Sequence, residues 1–268
     1  MRCLNSANMP DTETLKKPSP SLVRIIPIAG LPEVVFGDDL ARLLVEAAQR
    51  QRLVINEGDI FVVAQKVVSK AEGRTVHLDS VKPSQQAERW AAEYKKDARV
   101  IEVVLREASN IVRMERGVII ARTRHGFVCA NAGVDISNTP QGTALLLPEN
   151  PDRSASMLQE QLARAFGVHV AVIISDTFGR PWREGLVNVA LGVAGMAPLV
   201  DYRGQRDAQG KTLQATVIAL ADELAAAGGL VMGKLNRVPA AVLQGLAISQ
   251  GSGRGRDLIR PAERDLFR

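Results

Sequence analysis

Short apolar runs set between amphipathic helical stretches constrain this chain more than anything else in its sequence. Residues 60–63 and 168–174 are almost wholly apolar and rich in valine and isoleucine, as strands buried on both faces are. Further strands are expected at 23–28, 118–121, 127–130 and 230–232. Asp38 or Asp39 can cap a helix whose apolar face is Leu40, Leu43, Leu44 and Ala47. A second helix opens near Ser84 and aligns Ala87, Trp90, Ala91 and Tyr94; others are predicted at 100–105, 154–166 and 213–227. Alternation of this kind gives an α/β or mixed α+β class. Neither a GxGxxG fingerprint nor a Walker A motif is present, so the fold is expected to be neither Rossmann nor P-loop.

The 268 residues suffice for one large domain or two interlocked smaller ones. Aromatics make up only 4%, so valine, leucine, isoleucine and alanine must fill the core. Residues 1–21 read as a flexible extension, 22–250 as the folded unit, and 251–268 as a tail whose glycine-rich start, 251–256, is expected to be flexible. Cys3 and Cys129 are too far apart in sequence and too few for a disulfide framework, which points to a reduced compartment. No run approaches about 18 apolar residues, and no apolar signal-peptide core is seen. A cytoplasmic location without membrane attachment is therefore expected. The net charge of +5 comes from scattered lysines and arginines, which suits small anions better than nucleic acid.

Four segments look chemical. Residues 131–138 hold Asp135 between Asn131 and Asn138 in a glycine-containing turn, a set of oxygen donors for Mg²⁺ or Mn²⁺, or an Asx-rich turn that caps itself. The run 170–174 delivers Asp176 and Thr177 to a strand end, where they could ligate a metal or where Asp176 could cap a helix; Arg180 and Arg183 could hold phosphate or carboxylate oxygens. Trp182 between them either packs that loop or stacks on a ring. Lys66 and Lys70, with Ser69, are candidate phosphate ligands or solvated surface lysines. Met232-Gly233-Lys234, followed by Pro239, could expose backbone N–H groups to a nucleotide or be an ordinary exit from a strand. Asp135 and Asp176 together favour a shared metal site of the kind that organises phosphates. His77, His125 and His169 lack ligand spacing.

The segments PIAGLP (27–32), VVSKAEGR (67–74), NAGVDISN (131–138), SDTFGRPWREG (175–185) and MGK (232–234) resemble, in this order, the coenzyme F-420-0:L-glutamate ligase family, also called gamma-glutamyl ligases. The resemblance implies a GTP-dependent enzyme that joins L-glutamate to the terminal carboxylate of F-420-0, giving GDP and phosphate, and that can add further γ-linked glutamates. It implies an unusual two-part α/β fold, an intertwined homodimer, and use of Mg²⁺ or Mn²⁺ with K⁺ as a stimulant. Carried onto this chain, Asp135, Asp176 and Thr177 match metal ligands. Ala29, Gly30, Leu31, Pro32, Ala64, Gln65, Lys70, Asn138, Met232, Gly233, Lys234 and Pro239 match the guanine-nucleotide site. Lys70, Asp135 and Asp176 are the catalytic candidates. The chain departs from the family pattern at Lys234, where an acidic metal-contacting residue can stand, and at Ala64-Gln65, where small hydroxyl residues can.

The rival functions are another metal- and nucleotide-dependent ligase or kinase, a non-catalytic nucleotide-binding protein, and a deazaflavin oxidoreductase.

Overall fold

The computed structural model describes residues 22–137 and 139–265. In chain order it runs β1 (Arg24–Ile28), α1 (Leu40–Arg50), β2 (Ile60–Ala64), α2 (Gln65–Ala71), β3 (Thr75–His77), α3 (Gln85–Tyr94), α4 (Ala98–Glu107), β4 (Ala108–Glu115), β5 (Val118–Thr123) and β6 (Val128–Ala130). It continues with β7 (Thr143–Leu145), α5 (Pro151–Phe166), β8 (Ala171–Arg180), β9 (Arg183–Ala194), β10 (Val200–Asp201), β11 (Val217–Ile218), α6 (Leu220–Met232) and β12 (Ala240–Gln244). The class is mixed α/β, consistent with α+β. No helix among the described residues is long and apolar enough to cross a membrane.

A five-stranded sheet ordered β1-β12-β2-β8-β9 forms the larger part. Side chains alternate across a strand, and the two faces of this sheet are covered by different helices. Phe61, Val63, Val172 and Ile174 pack with α1 and α5, whereas Ile60, Val62, Ala171 and Ile173 pack with α6. That double burial explains why the β2 and β8 sequences are unbroken apolar runs. The carboxylate of Asp39 accepts the Arg42 N–H at 3.0 Å to start α1, and the predicted face Leu40, Leu43, Leu44 and Ala47 is buried.

A second core joins α3 and α4 to the β4-β5-β6 sheet through Leu78, Ala87, Ile101, Val104, Ile119, Ala121 and Ala132. The β3-β7 pair lies between the two parts in the chain, and Gln65 of α2 donates to the carbonyl of Leu146, the residue after β7, at 3.1 Å.

Three expectations are corrected. The helix predicted at 213–227 begins at Leu220, because Val217–Ile218 pairs with β10, and it continues to Met232, replacing the strand expected at 230–232. Gly228 and Gly229 do not stop it; a Cβ at Gly228 would sit 2.9 Å from Val62, so the glycine lets the helix approach the sheet. Residues 251–256 are held, not loose: the Gly255 N–H donates to Asp152 Oδ1 at 2.6 Å and Gly255 is buried. The segments 108–115, 143–145 and 240–244 carry strands that the apolar pattern did not announce.

Candidate functional site

Strand register assembles one edge of the large sheet. Ile28 pairs with Ala240, Ala240 with Val63, and Ala64 with Ser175. The exit from β1 (Ala29, Gly30, Leu31, Pro32), the entry to β12 (Pro239), the end of β2 (Ala64) and the middle of β8 therefore come level. Pro239 accepts the Ala64 N–H at 2.7 Å, which ties two of these ends together. Gly30 turns the chain with φ of +76°, in the left-handed region.

Asp176 is not at a strand end, as the sequence suggested: β8 runs on to Arg180 in a hairpin with β9. It leaves the core because its parallel neighbour β2 stops opposite Ser175. Just before it, Ile174 pairs with Gly192 and Ser175 with Ala190, so Leu191 bulges out of β9. The Ala190 N–H then donates to Asp222 at the start of α6, at 2.8 Å. Burial holds the Asp176 carboxyl above the usual carboxylate range. The Thr177 N–H, donated to it at 2.7 Å, opposes that shift, the charge of Asp135 adds to it, and Lys234 and Lys66 oppose it. Asp176 also faces Cys129, whose thiol is pushed up to about 12 by burial and by the Asp176 charge. Thr177, one residue on, points to the α6 face. Its hydroxyl accepts from Lys234 Nζ and donates to Asn188 Oδ1 at 3.0 Å. Lys234 follows Gly233 at the end of α6, with Met232 in its last turn.

Asp135 arrives from the smaller part. Asn131, Ala132 and Gly133 all have positive φ, and the turn they make is fixed by paired bonds between the Asp135 and Leu145 backbones at 3.0 and 2.8 Å. Asp135 Oδ1 accepts the Ser137 N–H at 2.6 Å, and Oδ2 lies 2.6 Å from Lys66 Nζ. Burial pushes this carboxyl up, but the Lys66 and Ser137 hydrogen bonds outweigh it, leaving it below the usual range. Asn138 lies outside the described residues.

Lys66 and Lys70 are one turn apart on α2, so both face the same way. Lys66, read from the sequence as either a phosphate ligand or a solvated surface lysine, is ion-paired with Asp135. Lys70 Nζ lies 2.5 Å from Glu33 Oε1, directly after the Ala29–Pro32 turn, so this part of the nucleotide set does converge. Gln65 is buried, and its amide is bonded to Ser69 and to the Leu146 carbonyl. Arg180 donates to the Glu184 carbonyl at 2.9 Å within the hairpin. Trp182 neither packs into a core nor is shielded: it is 80% exposed at the hairpin tip with φ of +56°. Sequence reasoning missed Glu33 and Asn188. An asparagine inside the small-residue run at 186–197 was the available signal for Asn188.

The donors are all oxygen: two carboxylates, close enough for one charge to act on the other, and a hydroxyl. Carboxylate and hydroxyl oxygens are the donor chemistry that would suit a hard divalent cation, which would need further ligands besides these. Among the described residues no group of three or more histidines, cysteines, aspartates or glutamates gathers into a site able to hold a metal without such help. Cavities of about 500 and 260 Å³ open elsewhere, around Asn150 and Asp152, and none of the candidate residues lines them.

The family model described as F420-0:Gamma-glutamyl ligase matches residues 30–245. The chain is 45% identical over 249 residues to a coenzyme F420:L-glutamate ligase of Methanothermobacter thermautotrophicus, covering 92% of this chain and 99% of that one. It is 47% identical over 251 residues to the protein of that name from Methanopyrus kandleri, covering 92% and 98%, and 38% identical over 247 residues to that from Archaeoglobus fulgidus, covering 92% and 96%. A match of this extent, across both parts of the fold and the whole carboxylate edge, makes the chain a member of the F420-0:gamma-glutamyl ligase family.

Proposed function

We propose that the protein is an amide-forming ligase that joins L-glutamate to the carboxylate of F420-0 at the expense of GTP, giving GDP and phosphate, and that it can extend the product through γ-linkages. A carboxylate is a poor acylating agent because oxide would have to leave. In the proposed route a carboxylate oxygen of F420-0 attacks the γ-phosphorus and GDP departs. The neutral amine of glutamate then attacks the acyl carbon, phosphate leaves, and the nitrogen gives up one proton to become the amide N–H. No protein nucleophile is needed, and the protein's contribution is positioning and charge neutralisation.

The nearness of Asp135 and Asp176, with Lys66 bound to the first and the Lys234 charge acting on the second, on the edge where the nucleotide candidates end, carries this reading. Asp135, Asp176 and Thr177 would hold Mg²⁺ or Mn²⁺, which when bound offsets phosphate charge and orients the transferring group. The Ala29–Pro32 turn, Ala64, Gln65, Asn138 and the Met232–Pro239 segment would hold the guanine nucleotide, with Lys70 directed to its phosphates. Lys234 places a fixed positive charge on Thr177. A homodimer, K⁺ stimulation and a cytoplasmic location complete the proposal.

The test is product mass after incubation with F420-0, L-glutamate, GTP and Mn²⁺, with ATP and no-nucleotide controls. A gain of one or more glutamyl units with GTP alone supports the assignment. Equal gain with ATP removes the guanine preference, and no gain from folded protein removes the ligase reading.

A further inference from the structure

Lys66 holds Asp135 more completely than a surface ion pair would require. Its ammonium lies 2.6 Å from Asp135 Oδ2, 2.9 Å from Ser137 Oγ and 3.0 Å from the Ser137 carbonyl, one acceptor for each of its three protons. All three acceptors belong to one turn, 71 and 69 positions away in sequence and anchored in the other part of the molecule. The Lys66 side chain is only 28% exposed, so the contact is built in and not a passing one between solvated groups. Its charge also acts on Asp176. The ammonium therefore occupies one of the two carboxylates that a divalent cation would use.

We propose that Lys66 is a positioning residue for the ligation reaction: it keeps the Asp135 turn aimed at Asp176 in the cation-free protein and yields the carboxylate when a divalent cation binds. The inference rests on the reading of Asp135 as a metal ligand. Two consequences follow from the geometry. Removing the ammonium frees Oδ2 and takes a like charge from beside the cation, so cation affinity rises. It also unties the turn from α2, so the bound reactants are held less accurately and turnover falls. A plain brace between the two parts would do neither of these together, and a phosphate ligand would act on GTP affinity instead.

Mn²⁺ binding to nucleotide-free protein, read from the loss of the free-ion EPR signal, is to be measured for the wild type and for Lys66→Met, Lys66→Arg, Ser137→Ala and Asp135→Asn, beside steady-state ligation. Lys66→Met is expected to lower the Mn²⁺ Kd about tenfold, the scale of one charge-assisted hydrogen bond. It should lower kcat at least about tenfold with little change in the KM for GTP. Lys66→Arg should restore the wild-type Mn²⁺ affinity and most of kcat. Ser137→Ala removes a single acceptor and guards against misfolding of the methionine variant; it should move Mn²⁺ affinity the same way by a few-fold. Unchanged or weaker Mn²⁺ binding in Lys66→Met and Ser137→Ala overturns the proposal alone. So does a raised KM for GTP at unchanged kcat. Unchanged Mn²⁺ binding in Asp135→Asn removes the metal-ligand reading and the proposal with it.

Discussion

The two carboxylates at the candidate site reach it on carriers of opposite kind. Asp176 stands in the middle of β8, in a strand covered by α1 and α5 on one face and α6 on the other, and it is exposed to its task only because β2 has ended beside it. Asp135 stands in an irregular turn at the rim of the smaller core, fixed by two backbone bonds to Leu145 and by Lys66. Burial raises the first carboxyl, and hydrogen bonding lowers the second. A carboxyl set mainly by burial is thus opposed to one set by hydrogen bonds and an ion pair. On the proposed reading, in which the site admits a cation and releases a nucleotide, the two carboxylates would serve different ends.

Replacing each carboxylate in turn breaks this comparison most directly. Asp176→Asn and Asp135→Asn should each reduce ligation by about 10³-fold or more, since either removes charge that the transition state needs held in place. Their effects on cation-free stability should differ in sign. Asparagine at 176 removes a buried charge while its carbonyl can still accept the Thr177 N–H, so the melting temperature should hold or rise. Asparagine at 135 leaves Lys66 without its anion and should cost about 1 kcal/mol. The pH dependence follows the same signs. A raised carboxyl such as Asp176 contributes stability below its unfolded pKa and loses it as pH rises through the folded value, so the advantage of Asp176→Asn should grow on going from acid to neutral pH. A lowered carboxyl such as Asp135 contributes above its unfolded pKa and loses it as pH falls, so the deficit of Asp135→Asn should shrink in acid. Melting curves from about pH 3 to 7 without divalent cation would show it, and parallel curves for the two variants would end the distinction.

The rigidity of the β8 carrier can be tested away from the site. At Gly228→Ala, helix propensity favours alanine by about 1 kcal/mol. The new methyl, however, would meet Val62 at 2.9 Å, and overpacking costs about 1–3 kcal/mol. Packing should win, lowering the melting temperature by a few degrees. A more stable variant would mean that α6 can move off the sheet and that β8 is less firmly held than its burial implies.

How legible each carrier was in the sequence follows from how each is made. The large sheet announced itself because strands buried on both faces are written as valine and isoleucine runs, and Asp176 could be found at the end of one. That β8 continues past it was hidden, since in residues 176–185 Phe178 and Trp182 stand isolated among polar residues, glycines and a proline, and the β8 residues there pair only with their hairpin partner β9. The smaller sheet has strands with one face exposed, and β4 reads ASNIVRME, with too few apolar positions to stand out. β12, AAVLQ, is a short run of four apolar residues and a glutamine that passes for an exit from α6. Asp135 was visible as a carboxylate in an amide-rich turn, but its partner was not. Lys66 is separated from it by most of the smaller part, and no periodicity connects a lysine to an acceptor that far along the chain. Glu33, 37 residues before Lys70, was lost for the same reason; Asn188 was lost because the continuation of β8 that sets it opposite Thr177 was hidden.

The smallest effect expected concerns the second lysine of α2. Lys70 repeats the Lys66 arrangement one turn later, with Glu33 as its anion, but Glu33 is 76% exposed where Asp135 is 36%. The more open pair should be worth little to the fold, about 1 kcal/mol or less, so Glu33→Gln should leave the melting temperature nearly unchanged. Its value, on the nucleotide reading, is as a holder of Lys70 between turnovers. Removing the carboxylate leaves the ammonium undivided for phosphate, and the KM for GTP should fall by a few-fold while kcat stays level. A KM that rises instead would mean that Glu33 aims Lys70 rather than competing for it. In that case the two lysines of α2 would be held for different ends: Lys66 to be displaced, Lys70 to be kept in place.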